Sequence, residues 1–81
     1  MEKAIYSADY ERLCRMLKAR RVFLGLRQAD LAETLGVTQT FVSNYEKGDR
    51  RIDLIELDQI CAALGLDLVR FVADFKADAG D

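Results

Sequence analysis

Residues 25–48 read GLRQADLAETLGVTQTFVSNYEKG, and this stretch decides the fold of the chain. Apolar residues recur at helical spacing on both sides of Gly36, which predicts two short helices joined by a tight turn. The first helix is expected over about 28–35. The second is expected over 38–47, with Thr38 as its N-cap and a glycine directly after it as a stop.

The flanking sequence predicts three further helices. Ser7, Asp53 and Asp67 are the expected N-caps of the first, fourth and fifth helices, since their side chains can accept a hydrogen bond from a first-turn N–H. The chain has no proline to interrupt them. We therefore predict an all-α fold, a compact bundle of five helices. The chain divides into an N-terminal arm, the helical domain and a polar tail: residues 1–6, 7–75 and 76–81.

Length and composition limit the class of protein. The 81 residues suffice for one domain, and 51% of them are hydrophobic, which argues against disorder. No apolar run is long enough to span a membrane, and the N-terminal sequence lacks the apolar core of a signal peptide. We expect a soluble, cytoplasmic protein with no membrane partner.

The cysteines and the absence of histidine argue against a metal site. Cys14 and Cys61 belong to no CxxC unit, and the chain has no histidine. A zinc site would have to rely on carboxylates, so no metal and no cofactor are expected. Both cysteines are predicted to act as small buried hydrophobic residues in a reducing compartment.

Charge is divided unevenly along the chain. Residues 1–51 carry ten basic and seven acidic side chains, a net charge of +3, whereas 52–81 carry two basic and seven acidic ones, a net charge of −5. DNA affinity depends on local phosphate contacts rather than on the sum over the chain. The net charge of −2 is therefore compatible with DNA binding if the basic half contacts the DNA and the acidic half faces away from it.

Polar side chains occupy the outward positions of the helix predicted at 38–47. They carry hydrogen-bonding groups of the kind that read base edges in the DNA major groove. The candidate base contacts are Gln39, Thr40, Ser43 and Asn44.

The central segment resembles the Cro/repressor-type helix-turn-helix of the XRE family, over roughly residues 10–72. The matching blocks are GL-x-Q-x-x-LA from Gly25, LGV-x-Q from Leu35 and VS-x-YE-x-G from Val42. The resemblance implies a lambda-repressor-like bundle in which the second and third helices form the helix-turn-helix. It also implies binding to double-stranded DNA.

Roles of individual residues follow from the resemblance. Gln39, Thr40 and Asn44 match positions that contact bases, and Gln28 matches a phosphate-binding glutamine at the start of the second helix. Arg27 is a departure, because the family usually has Thr, Ser or Asn as the N-cap there; it could contact a phosphate instead. The full phosphate set is Gln28, Lys47, Arg50, Arg51 and Arg27. Arg21 and Glu46 match a buried structural ion pair.

Other side chains have two open interpretations. Phe41 either packs against the second helix or touches a thymine methyl group, and packing is favoured. Four cations of the first helix are expected to form a solvated face rather than to bind DNA: Arg12, Arg15, Lys18 and Arg20.

The fifth predicted helix is more apolar than its share of the core requires. Exposed apolar surface of this kind usually marks an interface. We predict a dimer seam of Leu68, Phe71, Val72 and Phe75, with Val22 and Phe23 as further apolar surface. In the alternative, Phe71 and Phe75 fold back over the core.

These features predict a transcriptional regulator that binds an inverted-repeat operator as a homodimer, with half-sites about 34 Å apart. A repressor, an autoregulator or a restriction–modification controller fits this description, and no small-molecule ligand is expected. The alternatives are an antitoxin of a toxin pair and a protein–protein adaptor that has lost DNA binding. An enzyme is not expected, because no catalytic constellation is present in the sequence.

Overall fold

Five helices form the part of the chain that the computed structural model describes, residues 7–79. The predicted all-α bundle is confirmed. The helices are α1 (Ala8–Phe23), α2 (Gln28–Leu35), α3 (Gln39–Lys47), α4 (Leu54–Ala63) and α5 (Leu68–Ala79).

The predicted N-caps lie where the sequence placed them. Ser7, Thr38, Asp53 and Asp67 each accept a hydrogen bond from the backbone N–H three residues later, at 3.1, 3.2, 2.7 and 2.9 Å. Glu56 completes a reciprocal capping box by accepting the Asp53 N–H at 2.9 Å. These contacts explain why four of the helices begin where they do.

α2 begins in a different way, because its N-cap is Arg27, whose side chain has no acceptor. Asp30 supplies the missing carboxylate from inside the first turn and accepts the Arg27 backbone N–H at 2.9 Å. The negative charge of this carboxylate is also stabilised by the positive end of the helix dipole. The start of α2 therefore keeps one half of a capping box.

The turn between α2 and α3 depends on Gly36. Its φ of 72° lies in the left-handed region, which a residue with a Cβ adopts only with strain. The next residue, Val37, donates its N–H to the Ala32 carbonyl at 3.0 Å. This closes the end of α2 and directs the chain into α3.

The core receives at least one buried side chain from each helix. Its largest fully buried members are aliphatic or aromatic: Tyr45, Leu17, Leu31, Ile60, Leu64 and Val42. Cys14 and Cys61 are buried and unpaired, as predicted. Burial raises the pKa of the Cys61 thiol to about 11, so this thiol remains protonated.

α5 continues to Ala79, so it includes the first residues of the predicted polar tail. Arg12 of α1 stabilises this last stretch. It donates to the Phe75 carbonyl at 2.7 Å, lies 3.8 Å from the centre of the Phe75 ring and approaches Asp78 at 3.7 Å. The predicted arm (1–6) and the last two residues of the predicted tail lie outside the described residues.

The expected solvated face of α1 is also only partly present. Arg15 and Lys18 are exposed, but Arg12 is engaged by α5, and Arg20 is half-buried and donates to the Leu64 carbonyl at 3.0 Å. Two of the four cations therefore bind the α4–α5 half of the bundle, because α1 and α5 pack together.

Of the four α5 residues predicted to form the dimer seam, only Val72 is exposed. Phe71 is only 5% exposed and belongs to the core, Leu68 packs against the core, and Phe75 lies under Arg12. The alternative, that the two phenylalanines fold back over the bundle, describes what is observed. The large apolar residues of α5 that are exposed are Val72, which belongs to the predicted seam, and Val69, which does not.

No helix of the described segment is long and apolar enough to cross a bilayer.

Candidate nucleic-acid interface

The buried and outward positions of α3 alternate with the helical period. Val42, Tyr45 and Glu46 point into the bundle and are at most 9% exposed. The four candidate base contacts occupy the remaining side of the helix: Gln39 and Thr40 are exposed, and Ser43 and Asn44 are half-buried. Residues three or four apart share a face of a helix, so Gln39 lies beside Ser43, and Thr40 lies beside Ser43 and Asn44. The four side chains therefore form a single polar surface.

α2 holds α3 in place through close packing. Leu31 and Ala32 of α2 are buried against the core, and α2 and α3 form the most extensive helix pair of the bundle. The small side chain of Ala32 permits the two helices to approach closely. α2 thus packs against the side of α3 opposite its polar surface.

A buried ion pair fixes α3 relative to α1. Arg21 donates from Nε and Nη2 to the two carboxylate oxygens of Glu46 at 2.7 and 3.0 Å. The side chains are 10% and 2% exposed. Arg21 also donates to the Leu26 carbonyl at 2.7 Å, which ties the loop before α2 to the same guanidinium. The hydrogen bonds to Glu46 raise the pKa of Arg21.

Gln28 connects this ion pair to the polar surface. Its Nε2 donates to Glu46 Oε1 at 3.0 Å, and its Oε1 lies 3.5 Å from Gln39 Nε2, at the long limit of a hydrogen bond. The buried carboxylate of Glu46 therefore orients the amide of Gln28. The resemblance gave Gln28 a phosphate role and did not reveal this link to Glu46.

Three of the four candidate phosphate cations are already paired with a carboxylate. Arg27 contacts Asp30 through two hydrogen bonds of 3.1 and 2.8 Å. Lys47 lies 3.7 Å from Asp49. The third pair, Arg50 with Glu56, has two hydrogen bonds of 3.1 and 3.0 Å. Within residues 7–79, only Arg51 of this set forms no ion pair.

Sequence reasoning missed these three acidic partners, although one signal was available. Asp30 follows Arg27 by three residues on a predicted helix, a spacing at which opposite charges meet. The Arg50–Glu56 pair bridges the loop and α4, so no helical periodicity could have revealed it.

Phe41 packs on the protein rather than standing free on the outer side of α3. Its ring lies edge-on to Tyr45, with centres 5.9 Å apart, and the Arg50 guanidinium lies 4.3 Å from its centre. Phe41 also shares a small cavity lining with Leu35 of α2 and Ile60 of α4. Arg50 is thus placed between Phe41 and Glu56, which limits its freedom to reach a phosphate.

Comparison with known proteins bears on this arrangement. Residues 17–71 match a family model described as helix-turn-helix, and the match covers α2, α3, α4 and parts of α1 and α5. The chain belongs to this helix-turn-helix family.

Relatives place this helix-turn-helix protein among those of the XRE type. An uncharacterised HTH-type transcriptional regulator of Sinorhizobium medicae is 34% identical over 64 residues, which are 79% of this chain and 46% of that protein. The chain thus spans about half the length of the curated relative. An XRE-family like protein from Pseudomonas syringae pv. tomato is 36% identical, with a TM-score of 0.84 over 90% of this chain and 89% of its own.

The fold is also that of a restriction–modification controller protein. The structure of C.Esp1396I, a tetramer in complex with its natural 35 base-pair operator, has a TM-score of 0.82. It is 23% identical and covers 93% of this chain and 99% of its own, so it shows a shared fold.

Proposed function

We propose that this helix-turn-helix protein is a sequence-specific transcriptional regulator that binds an inverted-repeat operator as a homodimer. The observation that carries the proposal is the polar surface of α3, held from behind by the buried Arg21–Glu46 pair. A repressor, an autoregulator or a restriction–modification controller would use such a surface. The operator in the C.Esp1396I structure supports this class.

In the proposed complex, α3 lies in the major groove. The amides of Gln39 and Asn44 can each donate and accept, as the adenine edge requires, and the Thr40 methyl group can meet a thymine methyl group. Ser43 lies on the same face and can bond to either kind of base edge. The contact between Gln28 and Gln39 would orient the amide of Gln39 before DNA binds.

The proposed phosphate contacts come from both ends of this surface. Gln28 stands at the first position of α2, where a helix N-terminus favours an anion. Lys47 and Arg51 follow the reading positions, and both side chains are exposed. Arg27 and Arg50 are each held by two hydrogen bonds to a carboxylate, whereas Lys47 has only the longer 3.7 Å contact with Asp49, so we place Arg27 and Arg50 second.

We propose that the dimer seam involves the exposed side of α5. Val69 and Val72 are 77% and 40% exposed there, whereas Phe71 is excluded because the core already covers it. Leu68 and Phe75 would contribute only their accessible edges. Val22 and Phe23 form a second exposed apolar area at the end of α1.

Selection of bound fragments from genomic DNA tests the whole proposal. Enriched fragments should share an inverted repeat whose half-sites lie about one helical turn apart, since each subunit of a two-fold dimer reads one of them. Affinity for mixed genomic DNA, measured between about 50 and 200 mM salt, should fall steeply. Absence of affinity at the lower salt concentration would favour a protein–protein adaptor on the same fold.

Gln39→Ala should lower affinity for the selected operator by about 1–3 kcal/mol and relax preference at one base pair, because a bidentate base contact is lost. Competition binding with operator variants measures both effects. Gln59→Ala is the matched control, since Gln59 is an exposed glutamine of α4 outside the polar surface. Equal losses on operator and random DNA would contradict base reading by Gln39.

Arg51→Ala should weaken binding to all sequences alike and reduce the salt slope by about one unit, because one phosphate contact is lost. The slope of log affinity against log salt gives the result directly. Arg15→Ala is the control, since Arg15 is an exposed arginine of α1 that, like Arg51, forms no ion pair within residues 7–79. An unchanged slope would remove Arg51 from the phosphate contacts.

A further inference from the structure

The proposed DNA-facing surface carries its own carboxylates. Asp30 lies beside Arg27 at the start of α2, and Asp49 lies beside Lys47 just after α3. Asp49 is exposed, as are both cations. A carboxylate thus stands beside the helix-turn-helix at each end of the surface that would meet the phosphates.

Asp30 is held firmly in its place. It accepts the Arg27 backbone N–H at 2.9 Å and two further hydrogen bonds from the Arg27 side chain. These contacts lower the pKa of Asp30 to about 2, so it is ionised at physiological pH. Since its carboxylate occupies one of the free N–H groups at this helix end, it competes with any phosphate for that N–H.

Unlike the carboxylate of Asp30, the carboxylate of Asp49 does not accept a backbone N–H within residues 7–79. The backbone N–H of Asp49 closes the end of α3 by donating to the Asn44 carbonyl at 2.9 Å, whereas the one contact of its carboxylate within residues 7–79 is the 3.7 Å ion pair with Lys47. Such an exposed pair contributes little to stability. The charge of Asp49 is therefore free to act on whatever approaches this loop.

A carboxylate beside a phosphate-binding cation weakens DNA binding in two ways. It repels the phosphates directly, and it competes for the cation, which then displaces fewer counterions from the DNA. Both effects are independent of sequence, because every site on DNA presents the same backbone.

We propose that Asp49, together with Asp30, limits the affinity of this protein for DNA of any sequence by holding Lys47 and Arg27 away from the phosphates. The proposal rests on the proposed function, since it concerns the same surface. A low affinity for each half-site makes occupancy depend on two half-sites and on the protein concentration. This would suit a regulator that has no ligand-binding domain within the described residues.

The test compares Asp49→Asn with the wild-type chain on a duplex of random sequence and on the selected operator. Asp49→Asn should raise affinity for both by about threefold to tenfold, as expected for removing one charge near a phosphate in a water-like dielectric. The salt slope should steepen by up to about one unit, because Lys47 becomes available. Asp30→Asn should act in the same direction and add to the effect.

Asp74→Asn is the matched control, because Asp74 also forms an exposed pair, with Arg70 at 3.4 Å, but lies on α5, which packs against α1 and α4. Sedimentation establishes that the variants keep the same oligomeric state. Equal gains for Asp49→Asn and Asp74→Asn would show an effect of net charge alone and overturn the proposal. An unchanged DNA affinity of Asp49→Asn would overturn it as well. In both cases, binding of the operator by the wild-type chain would leave the proposed function intact. If the wild-type chain binds neither duplex, the proposed function itself fails.

Discussion

Replacing Glu46 with alanine is expected to lower the free energy of unfolding by about 3–5 kcal/mol. The Glu46 carboxylate accepts two hydrogen bonds from Arg21 and one from Gln28, and its side chain is 2% exposed. The substitution leaves the Arg21 guanidinium buried without its charge partner. Such a loss is a large share of the stability of a small domain. Urea denaturation followed by circular dichroism measures it.

Two controls separate this effect from the loss of any carboxylate. Glu33→Ala removes an exposed acidic side chain from α2 and should change the free energy of unfolding by no more than about 0.5 kcal/mol. The double variant Arg21→Met with Glu46→Leu should recover much of the loss, because no charge then remains buried. A cost below about 1 kcal/mol for Glu46→Ala would mean that Arg21 finds solvent once its partner is gone.

Tyr45 is expected to respond in opposite directions to two substitutions. Tyr45→Ala should lower the free energy of unfolding by about 3–5 kcal/mol, because a fully buried aromatic ring is lost from the core. Tyr45→Phe should raise it by about 1 kcal/mol, because the Tyr45 hydroxyl is buried without a hydrogen-bond partner among the described residues. The edge-on contact with Phe41 is kept in the second variant.

Tyr10→Phe provides the matched control, since the hydroxyl of Tyr10 donates to the Arg50 carbonyl. Removing this hydroxyl should lower the free energy of unfolding by about 0.5–1.5 kcal/mol. The same conservative change is thus expected to have opposite signs at the two tyrosines. Destabilisation by Tyr45→Phe of the size seen for Tyr10→Phe would show that the Tyr45 hydroxyl has a partner.

Local signals in the sequence predicted most of the fold. Ser7, Thr38 and Asp53 begin helices because each can accept a hydrogen bond from an N–H three residues away, a relation that is visible in the sequence. Gly36 predicted the turn for the same local reason. The polar surface of α3 follows from helical periodicity and could be predicted equally well.

Contacts between distant parts of the chain could not be predicted in this way. Arg12 and Phe75 are 63 residues apart, and only the packing of α1 against α5 brings them together. From the sequence alone, Phe75 is therefore assigned to surplus apolar surface and the residues after it to a tail. The ion pair of Arg50 with Glu56 escaped prediction for the same reason, as did the link from Gln28 to Glu46.

The division of α3 into two sides has a consequence for how this protein can evolve. Val42, Tyr45 and Glu46 carry the stability of the helix, whereas the four candidate reading positions take almost no part in the core. A substitution at a reading position therefore changes what is recognised at little thermodynamic cost. Descendants of one ancestral chain could acquire new operators by drifting at these positions, while selection for folding acts on the other side of the same nine-residue helix.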